Sequence, residues 1–549
     1  MRPLSWLLVF LFLSCFLALA DEREPHPELN PAQLGTVDFP VACKSSAQKP
    51  FEYGLALLHS FWYEEAEKQF LRVSNDDSQC AMAYWGVAMS LWHQLWDEPD
   101  ATVLRRGLAE SQKAAQINTD QQRPRSSVPS PYPKDALAHE WAYISAISRF
   151  YSGAEKLDHA ARARAYSEAM KQVYESYPDD HEAAAFYALS LLASDDSIAN
   201  RKQAAAILEK LFALEPNHPG VAHYLIHSYD TPQLAELGIP AAHRYAQIAP
   251  ASPHALHMPS HIFARVGLWQ DDINSNLASI AATRKAVGMG MGGNEEHQFH
   301  AMDFLVYAYL QSGREAEAQE MIDEVKAMPP RQDMYGMSFD PRVDAQTRFE
   351  ASYALELQEW TNAASLSPPA GANPENQAVT FLARAMGAAR IGQLGDARKD
   401  IDEVRSIAKT LLEKGKKGEA DFLVRQTAEP SAWIAHAEGK DEDAITLLRP
   451  LADTETEGTS QTGYLPAHEV LADLLLEAKR PQQALEEYLS DLKLNPNRFN
   501  GLAGAAAAAD EAGNHTKALE YNALLLKVCQ GSRSPRSELV RARQSVAQR

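Results

Sequence analysis

The sequence predicts an all-α fold made of helical hairpins in series, a helical-repeat solenoid. Three observations lead to this prediction. Apolar residues recur at helical spacing from about Phe51 to Val528, and alanine is abundant there. Alternating apolar and polar runs, which are typical of strands, are nearly absent, and short turns such as Tyr177–Asp180 interrupt the helical pattern. The interruptions follow an internal period of 34 residues, which is typical of stacked helical repeats.

Small residues and prolines mark the individual repeats. In the C-terminal part, Ala484-Leu485 returns 34 residues later as Ala518-Leu519. A glycine followed five residues later by an alanine marks the entry into a second helix at Gly313 and Ala318, Gly392 and Ala397, Gly439 and Ala444, and Gly513 and Ala518. Units close at Pro178, Pro216, Pro250 and Pro496. Near the N-terminus, Gly54, Ala66 and Phe70 keep the same internal spacing.

This pattern resembles the tetratricopeptide-repeat (TPR) family. The resemblance implies a right-handed superhelix in which the first helix of each hairpin lines a concave groove. It is specific for fold and almost silent on function. The segments His218–Asp230 and His254–Trp269 are also similar to uncharacterised secreted TPR proteins of Gram-negative bacteria with a histidine-rich central segment, a similarity that brings no established activity.

The N-terminus resembles an export signal. One apolar run, Leu4–Ala20, follows the basic residue Arg2 and ends in small residues before Asp21, which indicates cleavage after Ala20. An uncleaved anchor is the alternative. We therefore expect an exported protein, periplasmic or secreted. The predicted organisation is a signal peptide 1–20, a polar leader 21–48, a TPR-like array 49–327 with a histidine-rich groove at 218–307, irregular insertions around a helical segment 328–376, a C-terminal TPR array 377–530 and a polar tail 531–549.

Composition excludes several functions. The 549-residue chain has a net charge of −21, with 73 acidic and 52 basic residues, so it should not bind nucleic acid through a general basic face. The mean hydropathy is −0.36 and the only long apolar run is the predicted signal, so no membrane span is expected after its cleavage. No glycine-rich phosphate loop follows a strand-like run.

The mature chain retains three cysteines, an odd number that leaves at least one unpaired. Cys43 and Cys80 each precede a helical pattern, about one repeat apart. A disulfide between them and two separate buried thiols are both consistent with that spacing.

Histidines are concentrated in one region. Of 18 histidines, nine lie between His218 and His300. His223 and His227 form an i,i+4 pair, and His257 and His261 form a second pair that is offset by the 34-residue period. Imidazoles at i,i+4 lie on one face of a helix and can share a metal ion.

The repeat register extends this set. With Pro216 and Pro250 at the closing position, both pairs fall at positions 5 and 9, which in the TPR family face the groove. Aligning the next unit by Ala318 adds residues of a third helix. The predicted metal ligands are His223, His227, His257, His261, His300, Asp303 and Asp230, and the predicted groove-lining residues are His254, Tyr307 and His297. Pro259 complicates this register, because a helix that begins there leaves His257 in the preceding turn.

Histidine-rich sites suit copper, zinc and iron, so a transition metal is the expected cofactor. Neither pair carries the glutamate of the zinc-protease motif. The favoured function is binding of a protein, a peptide or a small ligand in the groove, with a histidine-lined metal site. Two alternatives are a metal-dependent oxidoreductase or hydrolase that uses the same histidines, and a metal-free peptide-binding scaffold.

Overall fold

The computed structural model describes residues 29–95, 98–122, 133–292, 295–330, 340–459 and 462–547. In these ranges the secondary structure is helical and no β-strand occurs. Consecutive helices pack as antiparallel hairpins, so the chain is an all-α, TPR-like helical solenoid, as the sequence predicts. The predicted signal peptide lies outside the described residues.

The helices follow one another with short connections. Two short 3₁₀ helices, Pro31–Gln33 and Ser45–Ala47, come first. The first part of the array comprises α1 (Gln48–His59), α2 (Tyr63–Asp76), α3 (Ala81–Ser90), α4 (Ala101–Gln122), α5 (Lys134–Tyr151), α6 (His159–Ser176), α7 (His181–Ser194), α8 (Ile198–Leu214), α9 (Pro219–Tyr229), α10 (Ala235–Ile248), α11 (Pro253–His257), α12 (Pro259–Val266), α13 (Trp269–Gly288), α14 (Glu295–Gln311) and α15 (Glu315–Ala327). The second part comprises α16 (Pro341–Glu356), α17 (Trp360–Ser365), α18 (Pro374–Arg390), α19 (Leu394–Glu413), α20 (Lys417–Gln426), α21 (Ala428–Ala437), α22 (Asp441–Asp453), α23 (Ala467–Glu477), α24 (Pro481–Leu494), α25 (Phe499–Glu511), α26 (His515–Val528) and α27 (Ser537–Ala547).

The closing prolines set where the next hairpin begins. Helices α7, α9, α11 and α25 each start three residues after a closing proline, at His181, Pro219, Pro253 and Phe499. Proline cannot continue the preceding helix, because it lacks the N–H group and constrains the residue before it. Side-chain caps then start the next helix: Asp180 accepts hydrogen bonds from the backbone N–H groups of residues 182 and 183, and Ser252 accepts one from residue 255.

The glycine and alanine signals have separate structural causes. Gly313, Gly392, Gly439 and Gly513 all have positive φ, between 68° and 80°, and a second helix begins two residues after each of them. Glycine adopts this left-handed conformation without the strain of a side chain. The four alanines that follow, Ala318, Ala397, Ala444 and Ala518, are buried between the two helices of their hairpins.

The C-terminal part of the array packs back onto the histidine-rich part. The fully buried Arg498 donates hydrogen bonds to Tyr307 Oη (2.9 Å), to Glu356 (2.8 Å) and to Glu469 (2.7 Å). Trp269 Nε1 donates to the carbonyl oxygen of Asn497 at 2.9 Å. Helices α12 to α14 are therefore enclosed by neighbours on the N-terminal and the C-terminal side.

The terminal segments are more ordered than their polar sequences predict. In the leader, Phe39 is 1% exposed and its ring contacts Tyr143 edge-on at 5.0 Å between centroids. In the predicted tail, α27 buries Leu539 and Ala542 against α25 and α26. Two apolar residues spaced by three are enough to dock a short helix on an existing surface, which overall polarity does not reveal.

Cys43 and Cys80 form a disulfide, so the structure adopts the first of the two arrangements that the sequence left open. It connects the segment before α1 to the start of α3. Cys529 is a buried free thiol.

Within the part of the chain that the structure describes, no helix has both the length and the apolar character needed to cross a bilayer.

Candidate metal centre

Two groups of three histidines lie at the junction of α9, α11, α12 and α14. Site 1 consists of His223, His227 and His254, and site 2 consists of His257, His261 and His300. Within each site, one ring nitrogen from every histidine lies within 4.8 Å of the other two. This arrangement is compact enough for three imidazoles to bind a single ion.

Both sites are built by the same rule. Each combines the i,i+4 pair of one hairpin with a histidine near the start of the first helix of the next hairpin. The pair on α9 is completed by His254 of α11, and the pair that spans α11 and α12 is completed by His300 of α14. Thus positions 5 and 9 of one repeat meet position 2 of the following repeat, and site 2 is the repeat-related copy of site 1.

In site 1, the ring nitrogens converge around His223. Its Nε2 lies 3.0 Å from Nε2 of His254 and 3.1 Å from Nε2 of His227. Its Nδ1 donates a hydrogen bond to the backbone carbonyl oxygen of His59 at 2.7 Å. A neutral imidazole has one N–H group, so this bond places the proton on Nδ1 and leaves the Nε2 lone pair facing the other two rings.

In site 2, two side chains are oriented in this way. His257 Nδ1 donates to Oδ1 of Asn276 at 2.7 Å, and His261 Nδ1 donates to Oδ2 of Asp230 at 2.8 Å. Asn276 Nδ2 donates to Asp272, which fixes the amide so that its oxygen faces His257. The Nε2 atoms of His257 and His261 then face each other at 3.0 Å. Hydrogen bonds of this kind orient metal-binding histidines in proteins.

The proline that complicates the register produces a local break between α11 and α12. Helix α11 ends at His257 and α12 begins at Pro259, so a helix does begin at Pro259, but His257 is the last residue of α11 and not part of a turn. Met258 nevertheless has helical dihedrals (φ −51°, ψ −33°), and the axis continues. His257 and His261 therefore remain on one face although Pro259 provides no N–H group for the helix.

Burial favours the neutral form of five of the six imidazoles. It lowers the pKa values of His223, His254, His257 and His300 well below the ordinary range, and the neighbouring histidines add to this effect. Burial also lowers the pKa of His227 to about 3, with His261 contributing in the same direction. Neutral imidazole is the form that binds metals.

The structure gives two of the predicted ligands other roles. Asp230 lies beside site 2 as a hydrogen-bond acceptor. Its carboxylate accepts a hydrogen bond from Nδ1 of His261 and another, at 3.0 Å, from Nε of Arg265. Asp303 does not belong to either site, because its carboxylate binds Arg348 and accepts from the backbone N–H of Thr462 at 2.9 Å. Its prediction as a ligand is corrected: the face of α14 that carries it packs against the C-terminal part of the chain.

Of the three predicted groove-lining residues, two lie at the histidine clusters and one lies elsewhere. His254 is a member of site 1, and the ring of His297 lies 5.2 Å from that of His254, between centroids. Tyr307 is 1% exposed and binds Arg498 and Thr459, so it lies in the interface with the C-terminal array instead of lining a groove.

A third group was missed by the sequence reasoning. In the His59 cluster, which consists of His59, Glu182 and His218, Glu182 accepts from Nε2 of His59 at 2.8 Å and from Nε2 of His218 at 2.9 Å. Burial opposes ionisation of Glu182, but His59 and His218 outweigh it and hold the pKa below its ordinary value. His59 is more than 120 residues from Glu182 in sequence, and no repeat spacing connects them.

The fold and these sites define a TPR-like solenoid with histidine clusters between the first helices of successive hairpins. No family model and no curated protein sequence matches the chain. Solved structures with some likeness include a monomeric mutant of IFIT1 with Gppp-AAAA (12% identity, 86% of this chain and 95% of that chain, TM-score 0.34) and the human IFIT1 dimer with m7Gppp-AAAA (10% identity, 78% and 87%, TM-score 0.33). Another is the APC/C hetero-tetramer Cut9-Hcn1 (12% identity, 91% and 90%, TM-score 0.27). At these values the likeness says nothing about ligands, and the fold class rests on the helices themselves.

Proposed function

We propose that this protein is an exported, TPR-like metal-binding protein that holds two transition-metal ions, one in site 1 and one in site 2. The ligands are the six histidines of the two sites. Asp230, Asn276 and the carbonyl group of His59 orient the rings without contacting the ions.

The observation that carries this proposal is the pair of facing nitrogens in site 2. When both rings are neutral, His257 and His261 each use their one proton, on Nδ1, in a hydrogen bond to an oxygen acceptor, so both Nε2 atoms present lone pairs at a separation of 3.0 Å. Two facing lone pairs repel each other at this distance, whereas a cation that both of them bind makes the contact favourable.

The ligand type narrows the choice of metal. Each site offers imidazole nitrogen and no thiolate or carboxylate. Imidazole suits copper, zinc, iron and nickel, whereas calcium and magnesium prefer oxygen ligands. Copper, zinc or iron is therefore our expectation, and copper and zinc are the two ions used in the experiments below. The surroundings of the buried histidines supply the second layer of hydrogen bonds that such ions need.

Export is supported by two features of the chain. The apolar run Leu4–Ala20 has the form of a cleaved signal, and the Cys43–Cys80 disulfide is of a kind that persists in oxidising compartments. Purification from the native host followed by intact-mass measurement tests this part. A mature N-terminus at Asp21 supports export, and a chain that retains Met1 in the cytoplasmic fraction contradicts it.

The metal proposal is tested by elemental analysis of the untagged protein, purified without chelator and compared with the double variant His223→Ala/His257→Ala. We expect about two ions of copper or zinc per wild-type chain and none in the folded variant. His515→Ala, an exposed histidine in the C-terminal array, serves as the matched control.

A wild-type chain that contains no transition metal and takes up none on dialysis against copper or zinc would refute the proposal. The histidines would then form a polar surface for a peptide, which is the metal-free alternative. Retention of two ions in the double variant would place the metals elsewhere.

A further inference from the structure

The two sites open into the same cavity. A cavity of about 580 Å³ is lined by His227 of site 1 and by His261 and His300 of site 2. These three histidines are partly exposed, whereas His223, His254 and His257 are buried and do not line the cavity. Ligand-binding pockets have volumes of this order. A molecule in the cavity therefore meets one edge of each site.

The sites are also close to each other. The rings of His254 and His257, which belong to different sites, are 6.3 Å apart between centroids. The rings of His227 and His254, which belong to the same site, are 6.4 Å apart. Rings of different sites therefore approach as closely as rings within one site.

The charges favour an anion at the base of the cavity. Three neutral imidazoles leave the full charge of a divalent ion uncompensated, and sites with three protein ligands keep coordination positions for an added ligand. Arg201 also lies in the cavity wall, where Nη1 donates to the carbonyl oxygen of His227 at 2.6 Å. The two carboxylates in the cavity lining, Glu98 and Asp196, are exposed to solvent, which weakens their repulsion of an anion near the histidines.

We infer that the cavity binds one small anionic ligand with a nitrogen or oxygen donor atom at each end, such as azide, and that this ligand contacts both ions at once. This inference rests on the proposed function, because it requires both sites to hold metal. It makes the pair a two-metal centre that is accessible to solutes, in contrast to two closed structural sites.

Azide titration of the full-length protein loaded with two equivalents of Cu(II) tests this inference. We expect saturation at one azide per two copper ions, measured by the azide-to-copper absorption band. We also expect the copper EPR intensity to fall on saturation, because a shared ligand couples the two spins.

The variant His300→Ala should hold one copper and keep the EPR intensity of one isolated ion at every azide concentration. The exposed His243→Ala variant is the matched control and should behave like the wild type.

The outcomes separate the two proposals. A copper content below two per chain before azide is added contradicts the proposed function and needs no titration. Two bound coppers whose EPR intensity stays at that of two isolated ions with saturating azide, or two azides bound independently, overturn the shared ligand while the metal sites stand.

Discussion

Site 2 and the His59 cluster contain similar groups in similar packing, but their hydrogen bonds differ in direction. In site 2, the Nδ1 protons of His257 and His261 are donated outward, to Asn276 and Asp230, and the Nε2 lone pairs converge. In the His59 cluster, the Nε2–H groups of His59 and His218 are donated inward, to the carboxylate of Glu182. Groups of ligand-type residues within 4.8 Å of one another therefore occur here with two opposite hydrogen-bond arrangements, and only the arrangement in site 2 leaves converging lone pairs.

The tautomer of His218 makes the difference explicit. Its Nδ1 accepts a hydrogen bond from the backbone N–H of Val221 at 3.2 Å, so the ring proton resides on Nε2. His59 Nδ1 likewise accepts from the hydroxyl of Tyr224 at 2.9 Å. Binding a metal at either Nε2 would require loss of that proton, whereas the carboxylate of Glu182 already satisfies both donors. The comparison teaches that the groups around the histidines decide between a metal site and a structural ion cluster.

The largest effect that sharpens this comparison is loss of one ligand from site 2. In His261→Ala we expect metal content to fall from two ions to one, with the affinity of site 2 reduced by more than about 100-fold, beyond the loss typical of outer-sphere changes. His261 is partly exposed, so the fold should persist. Isothermal titration with Zn²⁺ measures both affinities. An unchanged content of two ions would remove His261 from the ligand set.

The matching change in the His59 cluster should affect stability and leave the metal in place. In Glu182→Gln we expect the free energy of unfolding to fall by about 3 kcal/mol, because an amide group cannot accept from two buried N–H donors as a carboxylate does. Urea unfolding of the metal-free protein measures this loss, and elemental analysis should still find two ions. A folded Glu182→Gln variant that loses metal would make the cluster a third metal site and end the distinction.

A smaller effect is expected from the residue that orients His261. Asp230→Asn keeps an oxygen acceptor but removes the negative charge that His261 and Arg265 share. We expect the affinity of site 2 to fall about 10-fold, at the low end for outer-sphere partners, and site 1 to be unchanged. Asp196→Asn at the cavity rim is the matched control. Equal losses in both variants would indicate a general charge effect instead of orientation of the ring.

The smallest effect is the pH dependence of the His59 cluster. The pKa of Glu182 is held below its ordinary value by His59 and His218, against the effect of burial. The stabilisation that ionised Glu182 contributes to the free energy of unfolding is therefore fully present above the unfolded-state pKa of glutamate, about 4.3. It is lost as the pH falls from there toward the folded-state pKa of Glu182. We expect the stability difference between wild type and Glu182→Gln to be constant from pH 7 to 5 and to shrink below about pH 4. Urea unfolding of the two metal-free proteins at each pH measures it; a difference that grows on acidification would contradict this sign.

Much of the fold follows from local signals in the sequence. The closing prolines and the turn glycines act within three residues of the helix ends that they define, so their spacing alone locates the hairpins. The burial of residues in the polar leader and tail is harder to predict, because it depends on other helices: Phe39 packs against Tyr143 of α5, and Leu539 packs against α25 and α26.

The candidate site shows the same limit. The 34-residue offset predicted that both i,i+4 pairs and His300 lie close together, as they do in the two histidine clusters, because each depends on the repeat register. The register also predicted Asp303 and Tyr307 beside them. Because the C-terminal array packs against α14, Asp303 instead binds Thr462 and Tyr307 binds Arg498. Glu182 and Asn276 carry no such signal, because Glu182 binds His59 from a distant hairpin and Asn276 lies on α13, outside the register positions of the first helices.

If the two proposed sites hold metal, the rule that joins positions 5 and 9 of one hairpin to position 2 of the next makes the repeat a unit of metal capacity. Each further hairpin that carries the three histidines adds one ion at a fixed step from the last. The number of ions is then set by how often the unit is copied, and a longer series of such hairpins gives a design rule for a row of evenly spaced metal ions inside a single polypeptide.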